Sequence, residues 1–248
     1  MIAKGFFITG TDTGVGKTLA ACTLLHALRQ HCSRNNSKYT ALGMKAVAAG
    51  TEPDEQGHPV NADVRALQQA SSFAADPALV CPYVMAAPLS PHLSAALEGY
   101  SVEMDRIAAA FAQLSQQADT VVVEGAGGFC VPLTLDTNGA DLARALKLPV
   151  VIVVGLRLGC LNHAVLTAQA VAATGLPIAG WIANELAPDM PAKDGNLAYL
   201  QHQFSKAHQA PLLGVLPWQT DYSETTVNTV AQRLAPLIDV SLLMKACT

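Results

Sequence analysis

Apolar residues along this chain follow two alternating spacings. Short apolar runs of strand length, closed by glycine, proline or polar residues, alternate with longer stretches in which apolar positions recur every three or four residues. The pattern predicts a strand over 5–9 and an amphipathic helix over 19–30, broken by the polar stretch 33–38. A second strand is predicted over 40–47, and 51–60, with two prolines and a glycine, reads as a loop. A helix follows over 61–71 with Asn61 as its N-cap, and another over 102–117. The remaining elements are a strand over 119–123, a strand "LPVVIVVG" (148–155), a helix over 161–174 and a strand "PIAGWIAN" (177–184). A helix over 194–207, a strand "PLLGVLP" (211–217) and a helix over 224–237 complete the series.

The runs 121–123, 150–154 and 178–183 are apolar throughout rather than at alternate positions. Such strands are buried on both faces, as in a parallel sheet covered by helices. The expected fold is an open, mostly parallel α/β sheet with helices on both faces, forming one domain over 1–248. Ligands of such sheets bind beyond the carboxyl ends of the strands. The loops there should bring Lys17, Lys45, Glu124 and Asn184 to one rim, although they are far apart in the chain.

Composition supports this reading. Of 248 residues, 51% are hydrophobic and 14% charged, enough apolar material for a large core. The net charge of −4, with no block of Lys or Arg, does not advertise a nucleic-acid or anionic-membrane surface. The apolar run 148–156 contains Pro149 and Gly155 and is far shorter than the roughly 20 residues of a membrane helix. No signal peptide is read at the start, since too few apolar residues follow Lys4. Six cysteines without a C-x-x-C pair read as thiols of a reducing compartment, so the expected location is cytoplasmic.

The chemistry enters at "GTDTGVGKT" (10–18), between the first strand and the first helix. A phosphate loop needs glycines so that backbone N–H groups can approach oxygen, a lysine for the outer phosphates and a hydroxyl for Mg²⁺. Gly14 and Gly16, with Val15 between them, Lys17 and Thr18 supply these. The common G-x-x-x-x-G-K-[ST] spacing fails by one residue, because position 11 is Thr and the glycine stands at 10. The loop is therefore a variant, and the alternative is an ordinary glycine turn with an exposed lysine. Mg²⁺ prefers oxygen ligands. Glu124, ending the strand "TVVVE", is placed to join Thr18, and Asp63 in "NADVRAL" is a third candidate. On spacing alone Asp63 reads equally well as an ordinary acid of a first helical turn. Lys45 on its own reads as an exposed lysine ending a strand, and Trp218 as core.

These motifs resemble the dethiobiotin synthetase family from end to end. The resemblance is carried by "GTDTGVGKT", "GMKAVAAGT", "NADVRAL", "PLSPHLSA", "VVVEGAGGFCVPL", "GLRLGCLNHAVLTAQA", "AGWIANE" and "LLGVLPW", in order. It implies an ATP- and Mg²⁺-dependent cyclo-ligase of biotin formation. One amine of 7,8-diaminopelargonate takes up CO₂ as a carbamate, ATP phosphorylates it, and the neighbouring amine closes the cyclic urea. It implies Lys17 and Thr18 on ATP phosphates, Thr18, Asp63 and Glu124 as metal ligands, and Lys45 as the catalytic lysine. Further implied ATP contacts are Gly14, Val15, Gly16, the "EGAG" residues Gly125, Ala126 and Gly127, then Asn184, Glu185, Pro217, Trp218, Gln219 and Glu224. Implied substrate contacts are Thr13, Lys17, Lys45, Ala49 and Thr51, with Gly159, Cys160, Leu161 and Asn162 holding the carboxylate tail. The last four belong to a helix start contributed by a second subunit, so a homodimer is implied. His92 and His163 are read as structural.

The chain departs from the family at Ala46, where proline is usual, at Ala49, where a hydroxyl is common, and at Gly14, where some members carry an acid. A substrate contact at Ala49 is missing or supplied by Thr51. Three other readings compete. An ATP-driven partitioning switch would have a second lysine where Asp12 stands. A corrinoid-type amidotransferase needs a glutaminase domain that this length cannot hold. A non-catalytic nucleotide module would have no turnover to lose.

Overall fold

A computed structural model describes residues 5–34, 36–220 and 227–245. The chain runs through β1 (Gly5–Gly10), α1 (Lys17–Cys32) and β2 (Ala41–Lys45). An excursion follows: β3 (Val47–Ala49), β4 (Glu52–Pro53), β5 (Pro59–Val60), α2 (Ala62–Ala70), α3 (Pro77–Val80), β6 (Tyr83–Met85) and α4 (Pro91–Leu97). Then come α5 (Met104–Gln117), β7 (Thr120–Gly128), α6 (Gly139–Leu146), β8 (Val150–Leu156), α7 (Cys160–Ala173) and β9 (Ile178–Glu185). The last elements are α8 (Lys193–His208), β10 (Leu212–Leu216), α9 (Val227–Leu234), a 3-10 turn at Ala235–Leu237 and α10 (Val240–Lys245).

Six strands form one sheet in the order β10-β9-β8-β1-β7-β2, every neighbouring pair parallel. This is the expected open parallel sheet. The sheet is sandwiched by two apolar cores, which explains the unbroken apolar strands. Along β8, Val150, Ile152 and Val154 face one core with Leu114 of α5, Leu142 of α6, Ala168 of α7 and Phe204 of α8. Val151 and Val153 face the other, with Leu24 and Leu28 of α1, Leu67 of α2, Val230 of α9 and Leu243 of α10. Burying each such large side chain contributes about 1.5–3 kcal/mol. Gly43 is what lets α2 lie close on β2: a Cβ there would stand 2.9 Å from Leu67 Cβ.

The structure corrects several boundaries. The strand expected over 40–47 ends at Lys45, and Val47–Ala49 leaves the main sheet to pair with Tyr83–Met85 instead. The strand expected to stop at 123 continues to Gly128, so the acid motif at 124–128 is strand rather than loop. The proline-containing segment 51–60 is a loop closed by the antiparallel pair β4–β5. Helices α3, α4, α6 and α10 were not anticipated. The signal for α6 was present in "NGAD", since Asn138 and Asp141 form a reciprocal capping box. The helix expected over 224–237 is described as α9 from Val227 to Leu234; residues 221–226 lie outside the described set.

Candidate active site

A cleft of about 1130 Å³ opens beyond the carboxyl ends of the central strands. Lys17, Lys45, Glu124 and Asn184 all line it, on the one rim expected from the loops. β1 emerges at the middle of the sheet between β7 and β8, so its following loop stands where the strand order turns back.

That loop is braced at three points. Thr11 N–H donates to Val153 O of β8 at 3.0 Å, and Asn184 Nδ2 of β9 donates to Val15 O at 3.0 Å. Arg157, just past β8, donates to the Asp12 carboxylate. Thr13 N–H also donates to Asp12 Oδ1 at 2.7 Å, and that bond, then the Arg157 guanidinium, hold the Asp12 carboxyl below its usual value. Gly14 and Gly16 take positive φ values of 73° and 87°. Gly16 is required twice over, since a Cβ there would lie 2.2 Å from Asn184 Nδ2. Helix α1 starts at Lys17 with no acid in its first turn, leaving its N-terminal field free for an anion. The Lys17 ammonium bends back to donate to Asp12 O at 3.1 Å. Burial lowers the Lys17 pKa, opposed by the charge of Glu124.

Lys45 and Glu124 are register partners at the ends of β2 and β7. Asp63 arrives from the first turn of α2, whose start is capped by Asn61 accepting from Val64 N–H at 3.2 Å. The Lys45 ammonium donates to Asp63 Oδ2 at 2.6 Å and to Glu124 Oε1 at 2.6 Å. The Thr18 hydroxyl lies 2.7 Å from Asp63 Oδ1 and 3.0 Å from Glu124 Oε1. Lys45 is 4% exposed and Glu124 0%, which overturns the residue-only picture of an exposed lysine ending a strand. Burial opposes the charge on Lys45, yet the adjacent Glu124 and Asp63 carboxylates raise its pKa, so it stays an ammonium. Burial likewise raises Asp63, but the Lys45 charge outweighs it and the net shift is downward. Burial pushes Glu124 upward, with Lys45 opposing.

Hydroxyl and paired carboxylates make an all-oxygen donor set, the kind that suits magnesium. Glu124 Oε2 is buried without a hydrogen-bond partner, an acceptor that a cation would satisfy. These residues therefore fit Mg²⁺, with Thr18, Asp63 and Glu124 as the groups that would hold it.

The other anticipated residues divide. Thr13, Gly14, Gly16, Ala49, Ala126 and Gly127 line the cleft on the phosphate-loop side. Glu185, Pro217, Trp218 and Gln219 line its far end, where Glu185 accepts from Lys193 Nζ at 2.8 Å and from Trp218 N–H at 3.3 Å. Trp218 is 40% exposed, so it is not the core residue its type suggested. Val15 and Gly125 do not line the cleft: Val15 is buried and offers its carbonyl to Asn184, and Gly125 packs against Phe7. Thr51 is also absent from the lining, its N–H donating to Ala86 O at 3.2 Å. Residues 159–162 form the start of α7 and are not among the cleft-lining residues. Glu224 lies outside the described residues. Pro88, Leu89, Ser90 and Pro91 line the cleft although only their segment, "PLSPHLSA", was singled out. Val47, Val131 and Leu186 were missed, because isolated aliphatic residues carry no motif.

The family described as AAA domain matches residues 4–226. ATP-dependent dethiobiotin synthetase BioD of Xanthomonas oryzae pv. oryzae (strain PXO99A) is 49% identical over 221 residues, covering 89% of this chain and 94% of that protein. The same enzyme of Aromatoleum aromaticum is 50% identical over 216 residues, covering 86% and 90%. Among solved structures, a ParA family ATPase from Chlorobium tepidum TLS superposes with a TM-score of 0.50 at 17% identity, covering 99% of this chain and 97% of that one. The MinC:MinD cell division complex of Aquifex aeolicus gives 0.52 at 13% identity, covering 98% and 94%. At these identities the structures establish only a shared fold. With half of its residues identical to such enzymes across most of its length, the chain belongs to the ATP-dependent dethiobiotin synthetase family.

Proposed function

We infer that the protein, acting as a single domain, is an ATP-dependent dethiobiotin synthetase that closes the ureido ring of dethiobiotin from 7,8-diaminopelargonate, CO₂ and ATP. The observation that carries this reading is the convergence of Lys17, Lys45, Thr18, Asp63 and Glu124 on one cleft of about 1130 Å³, room for a nucleotide and a second small ligand. One substrate amine adds to CO₂ to form a carbamate. A carbamate oxygen attacks the γ-phosphorus, and ADP leaves. The second amine then attacks the carbonyl carbon, and the C–O bond to phosphate breaks as the ring C–N bond forms. Carbamate and triphosphate are both anionic, so their approach needs positive charge. The α1 N-terminus and the Lys17 ammonium address the phosphates, and Lys45 stands where the carbamate and γ-phosphate meet. Mg²⁺, held by Thr18, Asp63 and Glu124, would neutralise phosphate charge. Asn184, Pro217, Trp218 and Gln219 frame the end of the cleft suited to the adenine. The other nucleotide and substrate contacts implied by the resemblance are part of the same proposal.

We further propose a homodimer in which the α7 start, Gly159 to Asn162, receives the substrate carboxylate in the partner's cleft. In support, Leu158 beside it is fully exposed, and residues 159–162 do not line their own cleft. Among the described residues no helix is long and apolar enough to cross a membrane. A cytoplasmic site of action is proposed on the cysteine pattern. The deciding experiment is ADP release with ATP, Mg²⁺ and bicarbonate, with and without the diamine. Diamine-dependent release with dethiobiotin as product is expected. Release that ignores the diamine would instead favour an ATP-driven switch.

A further inference from the structure

The Lys45 ammonium does not hang in the cleft above the acids; it sits on them. Its contacts of 2.6 Å to Asp63 Oδ2 and 2.6 Å to Glu124 Oε1 occupy the same two carboxylates that the Thr18 hydroxyl reaches at 2.7 and 3.0 Å. Lys17, the other cleft lysine, acts on these acids through its charge but donates its hydrogen bond to Asp12 O instead. The charge that balances the acid pair is thus supplied at close range by Lys45. In the proposed function these oxygens serve a divalent ion, while Lys45 serves the anions above. Both duties conflict. A divalent cation drawing on Asp63 and Glu124 would face an ammonium buried to 4% exposure, with little water to screen the two.

We propose that Lys45 is the resident counter-ion of the acid pair in the metal-free protein, and that a divalent cation displaces it from Asp63 and releases the ammonium toward the anionic reactants. The destination of the ammonium rests on the proposed function; the exchange itself does not. Two features make the exchange feasible. A lysine carries a compact charge on a flexible four-carbon stem, so it can change partners without moving the backbone. Glu124 Oε2 is buried and unpartnered even while Lys45 is seated, so an incoming cation has an acceptor to engage first. The catalytic lysine is then handed over by the arrival of the metal, rather than held permanently in the attacking position. The metal-free protein should bind divalent ions weakly, because it already contains their substitute.

Manganese titration followed by electron paramagnetic resonance, without nucleotide or diamine, tests this directly. Lys45→Met should bind Mn²⁺ about tenfold or more tightly than wild type, since two charges no longer compete for the carboxylates. Its thermal midpoint should fall without metal and recover with Mn²⁺, whereas the wild-type midpoint should hardly respond. An affinity within about twofold of wild type overturns the proposal. Should Lys45→Met not fold, the wild-type chain alone decides the matter. A buried, hydrogen-bonded ammonium exchanges its protons slowly, so the ¹⁵Nζ signal of Lys45 can be assigned through its side-chain carbons. Addition of Mg²⁺ with ADP should shift or abolish it, and an unchanged signal at saturation overturns the exchange. These readouts need no turnover. A chain that makes dethiobiotin while Lys45 keeps its partners loses only this inference. A chain whose lysine exchanges but makes no dethiobiotin loses the functional reading instead.

Discussion

Lys17 and Lys45 stand in one cleft with different neighbours, and their substitutions should part accordingly. Lys17→Ala removes the charge nearest the helix start and should abolish nucleotide binding in a calorimetric titration. Lys45→Ala, assayed with Mg²⁺ present, should keep ADP binding while turnover falls roughly 100-fold or more, as expected for charge stabilisation at the reacting centre. Gly16→Ala should destabilise the fold by about 1–3 kcal/mol in urea unfolding, because the residue sits at φ 87° and a Cβ would displace Asn184. Lys17 and Thr18 were legible from the sequence because their partners in the motif are adjacent. The burial of Lys45 was not, since its partners Asp63 and Glu124 lie on a separate helix and strand. Only the family resemblance had singled it out.

At the scale of elements, β8 and β9 were legible to within two residues because both faces are buried and their apolar runs are unbroken. Of the excursion between β2 and α5 only α2 was legible, because the strands there are two or three residues long and helices α3 and α4 only four and seven. Such pieces are held by tertiary contacts rather than by periodicity. Tyr83 stacks on Tyr100, Arg106 lies 4.6 Å from the Tyr83 ring centroid, and the Cys81 thiol donates to Tyr83 O at 3.3 Å. Burial pushes the Cys81 thiol from 9.0 up to about 12. A group whose pKa rises on folding contributes stability that is complete below its unfolded value and is lost as pH climbs toward the folded one. The thermal midpoint should therefore decline between pH 9 and about 12, and the decline should be shallower in Cys81→Ala. Equal slopes for the two proteins would assign the alkaline loss to other groups.

For the whole molecule, the fold class was readable because strand–helix alternation and doubly buried strands admit few arrangements. Quaternary structure lay beyond composition and came only from the resemblance. If a second copy covers the α7 start, the fully exposed Leu158 lies in that contact. Leu158→Glu should then shift sedimentation toward monomer and weaken diamine binding while leaving ATP binding close to wild type. Unchanged sedimentation would remove this side chain from the dimer contact. The phosphate loop poses a different question, since β8, β9 and Arg157 all hold it in place. A segment tied at three points has surrendered its conformational freedom during folding. The nucleotide thus meets a seat already shaped, and its association should be limited by encounter rather than by waiting for a lid to order.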